Sequence, residues 1–148
     1  MKDYKPKYFT MTLTKTKSLL FVFFITFLAG CTTTITKTKE AVFNDMDKTQ
    51  QALTALVIAE TINVNGKEIT TNNKVTSEVE VSVTNGQNIP ANDDERKKLG
   101  KSIAAAIKHN LKDPNEFDSY KVLFVTKVEN GGVTKRNWVG NVFSSAEL

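Results

Sequence analysis

The stretch NDDERKKLGKSIAAAIKHNL, residues 92–111, carries the clearest secondary-structure signal of the chain. Its large apolar residues recur every four positions, the spacing of one buried helix face: Leu99, Ile103, Ile107 and Leu111. Asn92, with Glu95 three residues later, predicts a capping box at the start. Asp113-Pro114 ends the helix. Small residues flank the apolar stripe, so we expect this helix to lie close on a sheet.

Strand signals precede this helix. Residues 75–84 alternate valine with polar residues, which is typical of a strand with one buried face. Residues 61–64 and 67–70 are short β-branched segments on either side of Asn65-Gly66. Because this dipeptide suits the left-handed positions of a type I′ turn, we expect a small hairpin there.

Two further strands are predicted after the helix. Residues 120–128 are apolar at consecutive positions in their middle. This predicts a central strand that is covered on both faces, or on one face plus a partner. The turn-forming sequence ENGG follows at residues 129–132, and residues 133–143 then return as a strand.

A second helical pattern lies at residues 40–57, where apolar residues recur at three- and four-residue spacing. Its C-terminal end stays open, because Leu56-Val57-Ile58 suits a strand equally well. The predicted order of elements is α-β-β-β-α-β-β. This order favours the α+β class, with an antiparallel-rich sheet of about four to five strands and two helices packed on it.

Residues 18–31, SLLFVFFITFLAGC, have the composition of a secretory signal. Basic Lys15 and Lys17 precede about a dozen apolar-dominated residues, and two small residues precede a cysteine. The segment 15–31, with its ending LAGC, resembles the lipobox signal peptide of bacterial lipoproteins. The resemblance implies a diacylglyceryl thioether on Cys31, cleavage between Gly30 and Cys31, and acylation, such as palmitoylation, of the new amino terminus.

Two other interpretations of this segment are a transmembrane anchor and a signal peptide with an unrelated cysteine after it. As a helix, residues 18–30 would be about 20 Å long, against about 30 Å of hydrocarbon in a bilayer. The single cysteine of the chain stands at the cleavage point, so we favour the lipoprotein interpretation. Met11 is a plausible start in place of Met1.

The lipoprotein interpretation divides the chain into three parts. Residues 1–30 are the signal peptide, residues 31–39 are the lipidated cysteine with a threonine-rich tether, and residues 40–148 are a single small α+β domain. Thr32 is not the aspartate that resembles an inner-membrane retention signal. We therefore expect a bacterial cell-envelope protein, held in the outer membrane facing the periplasm, with the lipid bilayer as its partner through acylated Cys31.

The net charge of +4 lies entirely in the leader. Residues 1–30 hold five lysines and one aspartate, whereas the rest of the chain balances thirteen lysines and two arginines against fifteen acidic residues. A neutral domain lacks the electrostatic footprint of a nucleic-acid-binding protein. We therefore expect no nucleic acid among its partners.

No residue pattern predicts catalysis, a metal or a cofactor. His109 is the only histidine, and it falls near the helix C-terminus, where a cation is favoured. Catalysis by His109 would need a nucleophile and an orienting partner that the sequence does not indicate. The consecutive acids Asp93, Asp94 and Glu95 point in different directions on a helix and are better explained by capping. We expect a protein that is not an enzyme.

One cluster on the last predicted strand has the composition of a partner-binding patch: Lys135, Arg136 and Trp138. Arg and Trp are the residue types that anchor interfaces, and Arg136 and Trp138 share a strand face. An open face would make them a binding patch, whereas a core face would make Trp138 a packing residue. We favour packing.

Three functions remain after these exclusions. The first is a membrane-anchored envelope lipoprotein with a non-catalytic binding or scaffolding domain. The second is an immunity or inhibitor lipoprotein that blocks a toxin or an envelope hydrolase, with the turn at Gly131-Gly132 as a protruding loop. The third, ranked lowest, is an envelope enzyme that uses carboxylates alone.

Overall fold

The computed structural model describes residues 33–148. Five strands form one sheet in the order β1-β2-β3-β4-β5, and two helices accompany it. The elements follow one another as β1 (Thr34–Thr38), α1 (Met46–Leu56), β2 (Thr61–Thr71), β3 (Lys74–Thr84), α2 (Asp93–Asn110), β4 (Ser119–Asn130) and β5 (Val133–Ser144). A short 3-10 helix (Ser145–Glu147) ends the chain.

All neighbouring strands are antiparallel except β3 and β4, which run parallel and are joined through α2. Parallel strands need such a crossover, because a tight turn cannot bring the chain back to the same end of the sheet. The predicted α+β class is confirmed, with two helices and a five-stranded, mostly antiparallel sheet.

Helix α2 begins and ends where the sequence predicts, but of the predicted capping box only the Asn92 half forms in the described residues. The Asn92 side chain accepts hydrogen bonds from the backbone N–H groups of Asp94 (2.9 Å) and Glu95 (3.2 Å). The helix is close to the sheet at Gly100, where a Cβ would lie only 3.4 Å from the Phe143 ring. The small residues beside the apolar stripe therefore allow the close approach that we expected.

Helix α1 is shorter than the predicted 40–57. It begins after Asp45, whose side chain accepts a hydrogen bond from Lys48 N at 3.1 Å. The residues before Asp45 are not helical. Among them, Phe43 forms an isolated β-bridge with Leu111 at the end of α2. At its other end α1 stops at Leu56, since Val57 is extended.

The hairpin predicted at Asn65-Gly66 is wrong. The two segments form one strand, β2, and the turn comes later, at Asn72 and Asn73, which have φ angles of 49° and 64°. Gly66 is needed for a different reason: a Cβ there would lie 2.2 Å from the Lys39 carbonyl oxygen. Its small size thus allows a close backbone approach in mid-strand.

The threonine-rich tether predicted for residues 31–39 is wrong in its described part, because Thr34–Thr38 forms strand β1. This strand pairs with β2 from Thr34↔Thr71 to Thr38↔Lys67. All five of its residues are exposed, so the sequence shows no hydrophobic alternation. Its β-branched residues suit an edge strand whose stability comes from backbone pairing.

The core lies between the helices and one face of the sheet. Seven buried side chains supply the sheet side of this core: Val79, Val81, Val83, Tyr120, Val122, Phe124 and Phe143. Leu53 of α1 and Ile103 and Ile107 of α2 pack onto them. The other sheet face has no helix over it in the described residues, and we call it the open face.

Candidate functional site

Strand β5 places Trp138 on the open face, so the favoured interpretation of Trp138 as a packing residue is wrong. Its side chain is 66% exposed. The register explains this, because Phe143 pairs with core-facing Tyr120 and side chains alternate along a strand. Odd-numbered residues of β5 therefore share the core side of the sheet, and Trp138 faces the other way, opposite Val125.

An apolar patch surrounds Trp138 on the two outermost strands. It consists of four side chains, which we call the open-face patch: Leu123, Val125, Trp138 and Val142. Val142 is 57% exposed, whereas Leu123 and Val125 are half-buried. Strand β4 was predicted to be covered on both faces, or on one face plus a partner. Residues 33–148 cover only its Tyr120, Val122 and Phe124 face.

The charged residues of the predicted cluster lie on different faces. Arg136 shares the open face with Trp138 and pairs with Lys127 across the strands. Lys127 donates to Glu129 at 2.6 Å. This hydrogen bond and charge raise the pKa of Lys127 and lower the pKa of Glu129. Arg136 makes no ion pair within the described residues, so its charge is available to a partner.

Lys135 lies on the opposite side of the β4–β5 pair from Trp138. It pairs with Val128 and, with Val133 and Asn130, lines a shallow pocket of about 330 Å³. The structure thus brings Arg136 and Trp138 together and separates Lys135 from them. The alternation of side chains along a strand predicted that Arg136 and Trp138 share a face, and the same alternation places Lys135 on the other one.

The β4–β5 hairpin extends beyond the rest of the sheet. Strand β3 ends where Thr84 pairs with Val125, so residues 126–137 form strand pairs only with each other in the described part of the chain. We call residues 126–137 the hairpin arm. At roughly 3.3 Å per residue, five strand residues on each side and the two-residue turn give an arm about 20 Å long. Gly131 and Gly132 close its tip with φ angles of 56° and 80°.

A row of opposite charges crosses the middle of the open face. Glu80 on β3 accepts a hydrogen bond from Lys67 on β2 (2.7 Å) and forms an ion pair with Lys121 on β4 (3.2 Å). Burial alone would raise the pKa of Glu80, but the two lysines outweigh it, and the pKa is lower than usual. Lys121 of this row lies opposite Val142, so the row borders the open-face patch at that point.

The residues considered for catalysis and metals are spread apart. His109 is exposed in the last turn of α2. Asp93 forms an ion pair with Arg96, and Asp94 and Glu95 donate their backbone N–H groups to the Asn92 cap. Within residues 33–148, no group of three or more potential ligands is placed to hold a metal ion.

The lipidation site Cys31 and the cleavage position Gly30 lie outside the described residues, as does the whole segment 15–31. Among the helices that the structure describes, none has both the length and the hydrophobicity needed to cross a membrane.

Sequence reasoning found Trp138 and Arg136 but missed the other members of the open-face patch. Leu123, Val125 and Val142 have apolar side chains in strands whose opposite faces are also apolar. Apolar residues on both faces of a strand were the sequence signal for this patch. The same pattern is typical of a strand buried on both faces and of a strand with one exposed apolar face. No protein-family model, curated protein or solved structure matches this chain.

Proposed function

We propose that this chain is a bacterial envelope lipoprotein whose α+β domain is a non-catalytic binding module for a protein partner. The observation that carries the binding assignment is the exposed Trp138, set among apolar neighbours on a sheet face that no helix of residues 33–148 covers. Burying a large apolar side chain stabilises a complex by about 1.5–3 kcal/mol. Trp and Arg are also the residue types most enriched at binding hot spots.

The shape and charge of the patch support a protein surface as partner. It is a flat area on two strands rather than a concave pocket, and small-molecule sites are concave. Arg136 on one side and the Lys67–Glu80–Lys121 row on the other form a polar rim around the apolar centre. An apolar centre inside a polar rim is the common anatomy of protein interfaces.

The membrane anchor is the second part of the proposal, and it rests on the sequence around Cys31. Each buried methylene of an acyl chain contributes about 0.8 kcal/mol, and two or more chains hold a protein stably on a bilayer. The anchor would keep the binding domain in the outer membrane facing the periplasm. Mass spectrometry of the protein from its host should find a diacylglyceryl group on Cys31, and the variant Cys31→Ser should not incorporate labelled palmitate.

Photo-cross-linking in intact cells tests the binding assignment. A photoreactive amino acid in place of Trp138 should give one dominant protein adduct. The same probe in place of Ile58 is the matched control, because Ile58 is similarly exposed (61%) but does not belong to the open-face patch. Equal adduct patterns at both positions would contradict a specific site at the patch.

A second candidate function, an immunity protein or inhibitor, is supported by the hairpin arm. An arm about 20 Å long with a glycine tip could enter the active-site cleft of a toxin or envelope hydrolase. Shortening the arm by removing residues 129–134 and rejoining the strands should then abolish inhibition of the target while leaving the sheet folded. The wild-type domain should inhibit the hydrolase at a one-to-one ratio, and lack of inhibition across the hydrolases of the host envelope would exclude this candidate.

A further inference from the structure

A groove lies on the helix-covered side of the sheet, between α1 and the first half of β2. Its volume is about 800 Å³, and one side is open to solvent. Its apolar lining includes Ala41, Phe43, Met46, Leu53, Ile62 and Val64. This groove is on the other face of the sheet from Trp138 and at the opposite edge, so it is separate from the open-face patch.

The sheet edge beside this groove is unpaired. Strand β1 covers only the second half of β2, from Lys67 to Thr71. The last backbone bond along this edge joins Lys39 N to the Gly66 carbonyl at 2.9 Å. Residues 61–65 therefore have no strand neighbour on this side within the described part of the chain.

The alternation of the backbone fixes which groups are open at this edge. The Gly66 carbonyl points outward to Lys39, so the backbone groups of Ile62 and Val64 point outward as well. The β3 side agrees with this assignment. The Ser77 carbonyl of β3 points toward β4 and accepts a hydrogen bond from Asp118 N at 3.0 Å. The backbone groups of the even-numbered β3 residues therefore point toward β2. There they bond the odd-numbered residues of β2. Ile62 and Val64 thus present two donors and two acceptors to an incoming strand.

Carboxylates stand at both ends of this edge. Glu60 lies next to Thr61, and Glu40 follows Lys39, whose backbone bonds Gly66. Both line the groove, and neither forms an ion pair with a described residue. The Glu60 carboxylate accepts a hydrogen bond from Asn85 Nδ2 at 2.6 Å, which leaves its negative charge unneutralised. Lys39, the one lysine among the described residues of the lining, forms an ion pair with Glu116 at 3.6 Å. Six residues of strand span about 20 Å, so the groove has negative ends about that far apart.

We propose that this groove binds an extended peptide segment of another protein as an added strand on β2. Backbone hydrogen bonds to Ile62 and Val64 would hold the segment, and its alternate apolar side chains would enter the groove below α1. Lys or Arg residues about six positions apart would meet Glu40 and Glu60. The required ligand is therefore a short peptide with an alternating apolar centre and a basic residue at each end.

Amide hydrogen exchange measured by NMR tests the proposal position by position. The probe is the acetylated heptapeptide Lys-Val-Thr-Val-Thr-Val-Lys. In the free protein, Ile62 and Val64 N–H should exchange fast, whereas Asn63 and Asn65 N–H should be protected by β3. Saturating peptide should slow exchange at Ile62 and Val64 by about tenfold or more, as new backbone hydrogen bonds form. Unchanged exchange at both positions would overturn the proposal.

Three comparisons sharpen this result. The peptide with its central valine replaced by proline should bind at least about tenfold more weakly than the original peptide. It loses a backbone donor and cannot extend the sheet regularly. The protein variant Val64→Pro should weaken binding similarly, since its lost N–H points away from β3 and the ladder is kept. The double variant Glu40→Gln and Glu60→Gln should weaken binding about threefold at low salt and remove most of its salt dependence. Equal binding of all these forms would contradict a strand-edge site.

Two outcomes would identify a different occupant and overturn the proposal. Protection of Ile62 and Val64 that rises with protein concentration in the absence of peptide would indicate a second copy of this chain. Peptide-induced shifts centred on Trp138 would place the peptide on the open-face patch. The exchange measurement on the wild-type protein does not depend on the variants, so it remains decisive if Val64→Pro fails to fold. The exchange measurement is also independent of the proposed binding at the open-face patch. A photo-cross-linking experiment that found no adduct at Trp138 would not change the exchange rates of Ile62 and Val64.

Discussion

Gly140 lies opposite Leu123 in the β4–β5 pair, and the Leu123 side chain occupies the space where a Gly140 side chain would be. A Cβ on Gly140 would come 2.7 Å from Leu123 Cδ2 and 2.4 Å from the Val122 carbonyl oxygen. The backbone oxygen cannot move without disturbing the strand pair. We therefore expect Gly140→Ala to lower the free energy of unfolding by about 1–3 kcal/mol, as measured by urea denaturation.

The matched control for Gly140→Ala is Thr134→Ala, at an exposed position of the same strand. Its effect should stay within about 0.5 kcal/mol. If Gly140→Ala were equally neutral, the close packing of Leu123 on Gly140 would be contradicted, and the shape of the open-face patch with it.

The two aromatic residues of β5 should respond in opposite ways to truncation. Phe143 is 2% exposed and Trp138 is 66% exposed. Truncating a buried Phe leaves a cavity, so Phe143→Ala should cost about 3–5 kcal/mol of stability. Trp138→Ala should change stability by less than about 0.5 kcal/mol, because its side chain contributes little to the core. Urea denaturation measures both.

Fluorescence gives an independent check of Trp138, which is the only tryptophan of the chain. Its emission should be that of a water-exposed indole, and acrylamide should quench it efficiently in the folded protein. A blue-shifted emission that acrylamide quenches only after unfolding would show that Trp138 is covered, and would remove the main support for the binding proposal.

Local sequence signals predicted the elements that local chemistry determines. The Asn92 cap and the Asp113-Pro114 stop determine α2, and the alternating valines determine β3. The Gly131-Gly132 turn also lies where it was predicted. Each of these signals involves only a few neighbouring residues, so these elements can be predicted from a single sequence.

Features that depend on distant pairing were not predictable in this way. Gly66 has the neighbours of a turn glycine, and only the approach of Lys39 and Phe117 explains its place in mid-strand. The exposure of Trp138 likewise depends on its register with Val125, thirteen positions earlier. The groove beside Ile62 exists because β1 stops pairing at Lys67, a limit that no local pattern encodes.

The ion pairs of Glu80 should make the domain less stable in acid. The pKa of Glu80 is lowered, since the hydrogen bonds from Lys67 and Lys121 outweigh the effect of burial. A lowered carboxylate pKa adds stability that is present above the usual value, 4.5, and is lost as the pH falls through the folded value. At pH 7, Glu80→Gln should therefore cost about 0.5–1 kcal/mol, and this difference should vanish in acid.

Glu78→Gln is the control for Glu80→Gln. Glu78 is on the same strand and sheet face, two residues away, and makes no ion pair with any described residue. Its replacement removes a carboxylate without removing an ion pair, so it should change the free energy of unfolding at pH 7 by less than about 0.5 kcal/mol. If the difference between wild type and Glu80→Gln stayed constant from pH 7 to pH 3, the ion pairs would not be its cause.

Tyr120 should make the domain sensitive to alkali. Its side chain is fully buried, and burial, together with the charges of Asp113 and Glu116, raises its pKa from 10.0 to about 12. Stability from the neutral phenol is complete below pH 10 and is lost between pH 10 and 12, because the unfolded chain ionises first. This loss should amount to about 1–3 kcal/mol. Tyr120→Phe keeps the ring and removes the hydroxyl, which donates a long hydrogen bond to the Pro114 carbonyl (3.4 Å). It should therefore abolish most of the loss. Urea denaturation of both proteins from pH 8 to 12 measures it, and parallel alkaline limbs would show that Tyr120 does not titrate as proposed.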